Sequence, residues 1–399
     1  MPVLVIYNPA SGDCTAEQFF ISHVIPRLHS ADITPAEVIS TQTPGHAGVG
    51  VINFLENHEG DATVVLGSGD GTLHEIINQL SFVTPKGVRK NVSSSAVRLV
   101  LVPCGTANAL YASLFDRTPQ QDAVAYKLRS LEAFLSGSTP KPLKLAFTSL
   151  FGPPVSQQSL PRVVLSAVVT STALHAAILE DSEMMRKEMP GIERFKVAAQ
   201  QNITKWYNSH VKLLPMPSSG VVHIYDPKKG GFVPHDDSSE DNPMLDVRGP
   251  FAYFLSTVNV DRLEPEFRIN PMVSKSPALD ASMDVIMVRP QRDLTFSLDT
   301  PQAREKFSKK VITVLTAAYQ DGNHVNLRYS ENGDIAEGGS GRTVVECFRC
   351  GGWEWIPDDI DERAHLLCSD GTIFTIEKGG GAICRATLPI DNTGFLVHV

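Results

Sequence analysis

The chain has 399 residues, 42% hydrophobic and 20% charged, a composition that supports buried cores in more than one domain. Its net charge of −9 excludes a protein-wide basic field for nucleic acid, and an anionic membrane would attract it only through a local patch. No run of about 18 apolar residues occurs, so no membrane-spanning helix is expected.

Met1 to Tyr7 lacks a basic leader and reads as a first strand, not a signal peptide. Its core, Val3 to Tyr7, is a continuous apolar run suited to a strand buried on both faces. The turn cluster Asn8-Pro9-Ala10-Ser11-Gly12 ends it. The spacing then predicts a helix over 17–28, a strand over 36–40 and a helix over 46–56. A strand over 63–66 and a helix over 73–80 follow, then a strand over 98–102 and helices over 107–115 and 123–135. Such alternation implies a parallel sheet with helices on both faces.

Near residue 140 the pattern changes. Strands are predicted over 162–170, 251–257, 284–288, 325–329, 343–348 and 373–376, with long helices over 179–206 and 302–318. The expected fold is therefore an α/β N-terminal domain over 1–142 and a β-rich domain over 143–399, whose last segment is a candidate to pack back on the first. Residues 230–242, rich in Gly, Asp and Ser, read as a mobile loop. Six cysteines in a chain of this length read as reduced thiols in the cytosol. Cys347 and Cys350 form a CxxC pair with His365 and Cys368 downstream; cysteines on a strand and its turn are a commoner reading than zinc.

Parallel sheets bind ligands beyond the carboxyl ends of their strands. Three glycine-containing turns fall there: Asn8 to Gly12, Gly67 to Gly71 and Pro103 to Asn108. Glycines let backbone amides approach phosphate oxygens, and a following helix N-terminus favours negative charge. Gly67-Ser68-Gly69-Asp70-Gly71 is neither GxGxxG nor a Walker loop, so a dehydrogenase is the least favoured reading. It places one aspartate among glycines, which suits a general base taking a proton from an acceptor hydroxyl. An isolated Gly-Asp-Gly would read as a tight turn with a helix-capping Asp. Two companion turns favour function.

Ser68-Gly69-Asp70-Gly71-Thr72-Leu73-His74-Glu75-Ile76-Ile77-Asn78 resembles the signature of the diacylglycerol kinase catalytic-domain superfamily, nearest to the sphingosine (long-chain base) kinases. Asn8 to Gly12, Thr41-Gln42-Thr43-Pro44-Gly45-His46-Ala47 and Pro103 to Leu110 resemble further family segments, in the family's order. The resemblance continues more faintly through Glu183 to Arg186, Glu193 to Phe195, Pro271-Met272, Met283 to Arg289 and Ser369-Asp370-Gly371-Thr372.

The resemblance implies the NAD kinase/diacylglycerol kinase-like fold, with the active site in a cleft between the domains. It implies Asp70 as catalytic base, with Ser68, Gly69, Asp70 and Gly71 beside the substrate and Leu179 along its chain. It implies that Asn8, Pro9, Ala10, Thr41, Gln42, Thr43, Pro44, Gly45, Ser68, Gly69, Gly71, Glu75, Gly105, Thr106 and Ala107 hold the nucleotide. Arg186 and Arg194 would neutralise phosphate charge, and Asp370 and Gly371 would help close the site. The bland reading of the two arginines is surface ion pairs with Glu183 and Glu193. ATP is the implied cofactor, with Mg2+ held through its phosphates and not in a protein cage.

Two departures from the family pattern stand out. Ala177 and Leu179 occupy positions where the family usually carries aspartates for an amino-alcohol head, and Glu180 or Asp181 could substitute only with a register shift. Thr372 replaces a glutamate. The leading expectation is an ATP-dependent kinase acting on a primary hydroxyl of a long-chain sphingoid base, with a diacylglycerol or ceramide-type lipid second. An NAD kinase-like enzyme and a catalytically impaired nucleotide- or lipid-binding regulator are the other readings. The expected partner is a membrane-presented lipid, with no nucleic acid. The expected location is cytoplasmic, including peripheral contact with intracellular membranes. The lipid's identity and the oligomeric state are not legible.

Overall fold

The computed structural model describes residues 1–89, 96–118, 120–153, 162–278, 280–296, 298–388 and 394–399. Contacts divide the chain into two units, one holding residues 1–144 with the C-terminal strand, the other residues 145–388.

The first unit is built on a sheet that begins with β1 (Val3–Tyr7), β2 (Glu37–Ser40), β3 (Ala62–Ser68) and β4 (Val97–Pro103). The strands run in the order β2-β1-β3-β4, all parallel. The strand Phe395–Val397 joins beside β4 in parallel, and Lys141–Pro142 closes the edge in antiparallel sense. The parallel α/β architecture read from the alternation is thus present. β1, β3 and β4 are almost wholly buried, as an apolar run in a two-sided sheet requires. After β1 the chain turns to one side to make β2, then crosses to the other side to make β3. The carboxyl ends of β1 and β3 therefore flank a topological switch point, where such sheets open a crevice.

The first helical segment runs from Ala16 to Ser30 but widens to a π-helix over Phe20–Val24. Pro26 follows at once and has no N–H to give, which a shifted register accommodates. The bulge sets the fully buried Phe20 ring beneath Gly67 at the end of β3. The Tyr7 and Phe20 ring centroids are 5.4 Å apart, in one cluster with Val65 and Val100.

The second unit is β-rich, as the sequence pattern implied. Eight antiparallel strands follow the spatial order Gly231–Pro234, His223–Asp226, Val345–Cys350, Met283–Val288, Tyr253–Thr257, Val169–Thr172, Leu366–Ser369 and Thr372–Thr375. Six more follow the order Leu245–Arg248, Ser209–Leu214, Gly352–Pro357, Gly381–Ala386, Ala146–Phe151 and Arg162–Ser166. Trp353 and Trp355, two residues apart, face one side of their strand and are fully buried. The Phe254 ring of the eight-stranded sheet lies 5.3 and 5.0 Å from them, and Trp353 Nε1 donates to Ser256 Oγ at 3.1 Å. The two sheets therefore share an aromatic core.

Three expectations are corrected here. The helix expected over 179–206 is two helices, Ala173–Met184 and Glu193–Asn202, because Pro190 and Gly191 interrupt it. The strand expected over 162–170 breaks after Ser166 and resumes at Val169 in the other sheet. Part of the expected mobile loop over 230–242 is a strand, Gly231–Pro234, paired with His223–Asp226. Cys347 and Cys350 lie three apart on one buried strand, so their side chains leave opposite faces. Burial pushes both thiols up, which keeps them protonated.

Among the described glycines, Gly67 leaves the least room for a side chain. A Cβ there would lie 2.1 Å from Phe20, whose ring has no exposed surface into which to move. Gly67→Ala is expected to cost about 1–3 kcal/mol, read as a lower urea midpoint. An unchanged midpoint would contradict this packing.

Candidate functional site

The turns after β1, β3 and β4 begin at one level, because Tyr7 is in register with Gly67 and Ser68 with Pro103. Asn8 N donates to Gly67 O at 2.9 Å, and Cys104 N donates to Ser68 O at 3.1 Å. Glycines bring the turns into contact. A Cβ on Gly12 would meet Cys104 O at 2.4 Å, and one on Gly105 would meet Gly69 Cα at 2.5 Å. Gly71 differs, because nothing lies within 4 Å of the Cβ it lacks. Open space beside a backbone amide is what a phosphate oxygen needs.

Asp70 opens the Asp70–Phe82 helix. Its carboxylate accepts from Ala109 N at 2.7 Å and Leu110 N at 3.2 Å. These are the first amides of the Ala109–Leu114 helix, so the third turn orients the side chain offered by the second. The N-terminus of the Asp70 helix has no side-chain cap, which leaves its amides suited to an anion. A small recess is lined by Ser68, Gly69, Asp70, Asn108 and Tyr111, among others.

The first loop is braced by Asn8, whose Oδ1 accepts from Ala10 N at 3.0 Å, with Pro9 between them. Ser11 and Ser68 hydroxyls stand 3.5 Å apart, and Ser68 Oγ meets Thr72 Oγ1 at 2.5 Å. The Thr41 to Gly45 segment joins from β2. Thr41 N donates to Tyr7 O at 3.0 Å, and Gln42 N donates to His46 Nδ1 at 3.1 Å. Thr43 O accepts from His46 N at 3.2 Å. Gly45, next after Pro44, takes a φ of +80° to start the His46–Asn57 helix. The Gly45 N–H donates to the Glu75 carboxylate, tying this segment to the Asp70 helix. The candidate nucleotide residues of the first unit are thus gathered at one edge of its sheet.

Asn108 bears more of the geometry than its place in the motif suggests. Its Oδ1 accepts from Gly105 N at 2.8 Å and its Nδ2 donates to Gly105 O at 2.7 Å. This closes the loop that carries Thr106 and Ala107. Asn108 itself has a φ of +54°, which asparagine tolerates better than most residues. An Asn three residues after a Gly was the available signal. The Ala109 and Leu110 amides carry no signal in side-chain identity.

The remaining candidates belong to the second unit. Asp370 and Gly371 have φ values of +47° and +95° and form the two-residue turn between paired strands. The Asp370 carboxylate accepts from Ala167 N at 2.7 Å and from Val168 N and Val169 N at 2.8 Å each. It thereby satisfies the amides released where the chain changes sheets. Arg186 is more than half exposed and pairs with Glu183 at 3.1 Å. Arg194 is buried, lies over the Phe195 ring and donates to the carbonyls of Pro190 and Gly191 at the helix break. Burial lowers its pKa. The bland pairing therefore holds for Arg186 and fails for Arg194, because Glu193 pairs instead with Lys196 at 3.1 Å.

Leu179 is half-buried and Ala177 fully buried on the Ala173–Met184 helix. Arg363 binds Glu180 at 2.8 Å and Asp181 at 2.7 Å, so both acids near the head-group positions are already engaged in ion pairs. Asp181 also accepts from Asn202 Nδ2 at 2.6 Å. His175 is a core histidine, bonded to Ser171 Oγ at 2.7 Å and pushed down to about 4 by burial. Among the described residues no group of three His, Cys, Asp or Glu side chains is arranged to hold a metal.

Burial raises the Glu75 pKa, and the Gly45 N–H offsets part of that rise. A carboxyl whose folded pKa is raised binds protons more tightly when folded, so its ionisation lowers stability as pH climbs through that pKa. Glu75→Gln keeps an acceptor for Gly45 and removes the charge. Its Tm should match or exceed the parent's at pH 7, and the difference should vanish in acid below the carboxyl's ordinary value of 4.5. A lower Tm at pH 7 would contradict the assignment.

Residues 2–136 match the diacylglycerol kinase catalytic domain. Human sphingosine kinase 1 is 37% identical over 114 residues, covering 28% of this chain and 27% of that protein. Sphingoid long chain base kinase 5 of Saccharomyces cerevisiae is 32% identical over 111 residues, covering 28% of this chain and 15% of its own length. The chain thus spans about a quarter or less of the curated relatives it matches. Among solved structures, a diacylglycerol kinase from Bacillus anthracis aligns over 97% of this chain and 94% of its own, with 12% identity and a TM-score of 0.48. The matched stretch, residues 2–136, is similar to the diacylglycerol kinase catalytic domain and holds the three glycine turns and Asp70.

Proposed function

We propose that this protein is a lipid kinase, transferring the γ-phosphoryl group of ATP to a lipid hydroxyl with Asp70 as general base. The observation that carries the reading is the Asp70 carboxylate, fixed by the Ala109 and Leu110 amides where three phosphate-suited turns meet. A carboxylate has about four acceptor positions, so two backbone donors orient it and leave capacity for a hydroxyl proton. Phosphoryl transfer asks mainly for positioning and charge stabilisation, and a fixed base of modest strength meets that need. The uncapped amides of the Asp70 helix and the open side of Gly71 would hold phosphate oxygens. Mg2+ would arrive on ATP and neutralise phosphate charge there.

The similarity to sphingosine kinases supports a long-chain base as acceptor. One observation favours a second reading. A cationic amino head needs a carboxylate, and on the Ala173–Met184 helix Ala177 and Leu179 are apolar while Glu180 and Asp181 are bound to Arg363. That arrangement suits a neutral head, as in a diacylglycerol or ceramide-type lipid.

Radiolabelled ATP with a panel of sphingoid base, diacylglycerol, ceramide and NAD separates these readings. Label in a lipid supports the proposal, and label in NAD alone or in nothing contradicts it. Asp70→Asn is expected to lower transfer by about 10²–10⁴-fold while ATP binding is retained. Undiminished transfer would remove Asp70 from the role of base.

A further inference from the structure

We propose that Asn108 is a positioning residue for the Asp70 base. Its side chain is diverted from its own helix, and the amides of that helix are thereby left for Asp70. This rests on the kinase reading and deepens it.

Asn108 stands at the N-cap of the Ala109–Leu114 helix, and its backbone carbonyl accepts from Ala112 N at 2.9 Å. An asparagine there ordinarily turns its side-chain oxygen onto the second or third amide of the helix. Here it makes no such bond. Its Oδ1 and Nδ2 instead clamp both backbone polar groups of Gly105, at 2.8 and 2.7 Å. The Ala109 and Leu110 amides go to the Asp70 carboxylate, at 2.7 and 3.2 Å. An aspartate from the turn after β3 thus does the capping that the residue in place forgoes.

Two features hold the diversion. Asn108 has φ +54° and ψ +51°, left-handed where a capping residue is ordinarily extended, and asparagine tolerates that region. The clamp is also wedged against the base's own turn. A Cβ on Gly105 would meet Gly69 Cα at 2.5 Å and Asn108 Oδ1 at 2.8 Å. The clamped amide therefore packs where Gly105 meets the residue that precedes Asp70. Removing the Asn108 side chain loosens Gly105 against Gly69 and, from the other end, the two amides against Asp70.

Asn108→Gly keeps the left-handed backbone and removes only the clamp. With an acceptor that takes label, kcat should fall about 10–10²-fold while the KM for ATP changes less than about threefold, since the other turns keep their amides. In Asp70→Asn protein the same substitution should cost less than about threefold more, because its effect passes through the base. An equal loss in both backgrounds, as from a brace that serves stability alone, would overturn the proposal. A second readout needs no turnover. In the protein without ATP, Asp70→Asn should shift the Ala109 and Leu110 amide proton resonances. Asn108→Gly should shift the same pair and abolish most of their response to Asp70→Asn; an unmoved pair would also overturn the proposal. If Asn108→Gly does not fold, Asn108→Asp carries the same measurements. It tolerates the left-handed backbone and can accept from Gly105 N, but cannot donate to Gly105 O. Label in no acceptor, with the amide pair responding as expected, would remove the kinase reading and leave the link between Asn108 and Asp70 standing. Label in an acceptor with kcat unchanged in Asn108→Gly would remove the link and leave the kinase reading.

Discussion

The Asp70 carboxylate rests on the amides of Ala109 and Leu110, and the edge of the first unit is organised around that contact. It joins the turn after β3 to the turn after β4, and it requires both turns to approach closely. Gly69 against Gly105 and Gly12 against Cys104 make the approach sterically open. Phe20, set by the π-helical turn, supports Gly67 from below. A side chain larger than hydrogen at these glycines would part the turns and leave the carboxylate without its orienting donors. The strand order β2-β1-β3-β4 places this contact beside the switch point.

The second unit uses a similar device for a different end. Asp370 also gives its carboxylate to backbone amides, those of Ala167, Val168 and Val169, where the chain leaves one sheet for the other. Buried amides freed from a ladder must find acceptors, and a carboxylate with several lone pairs meets three of them at once. An Asp-Gly pair in this chain thus marks a helix start beside the phosphate-suited turns in one unit and a hairpin between strands in the other. Neither residue type nor spacing separates these uses; the neighbours do.

Much of the first unit was legible because its signals are local. Continuous apolar runs gave β1, β3 and β4, and the glycine turns fell where the strands ended. The π-helical turn was not legible, since it depends on how Pro26 is met by the rest of the fold, and only the spacing of Asn108 from Gly105 hinted at the brace. In the second unit, half-buried antiparallel strands give weaker patterns, and Ser209–Leu214 and Gly352–Pro357 were missed as strands. A continuous helical pattern also hid the break at Pro190 and Gly191. Arg194 read as a phosphate ligand or a surface ion pair, but burial binds it to the carbonyls of that break. Glu180 and Asp181 could serve a cationic head only with a register shift, and Arg363, distant in sequence, engages both.

The central claim is that the turns at the carboxyl edge of the first sheet hold the phosphates of ATP. Hydrogen exchange of the backbone amides with and without ATP and Mg2+ tests it most directly. The account predicts slowed exchange in Asn8 to Gly12, Thr41 to Gly45, Ser68 to Thr72 and Gly105 to Ala107 together. Binding of ATP with unchanged exchange in these segments, and protection elsewhere, would contradict it.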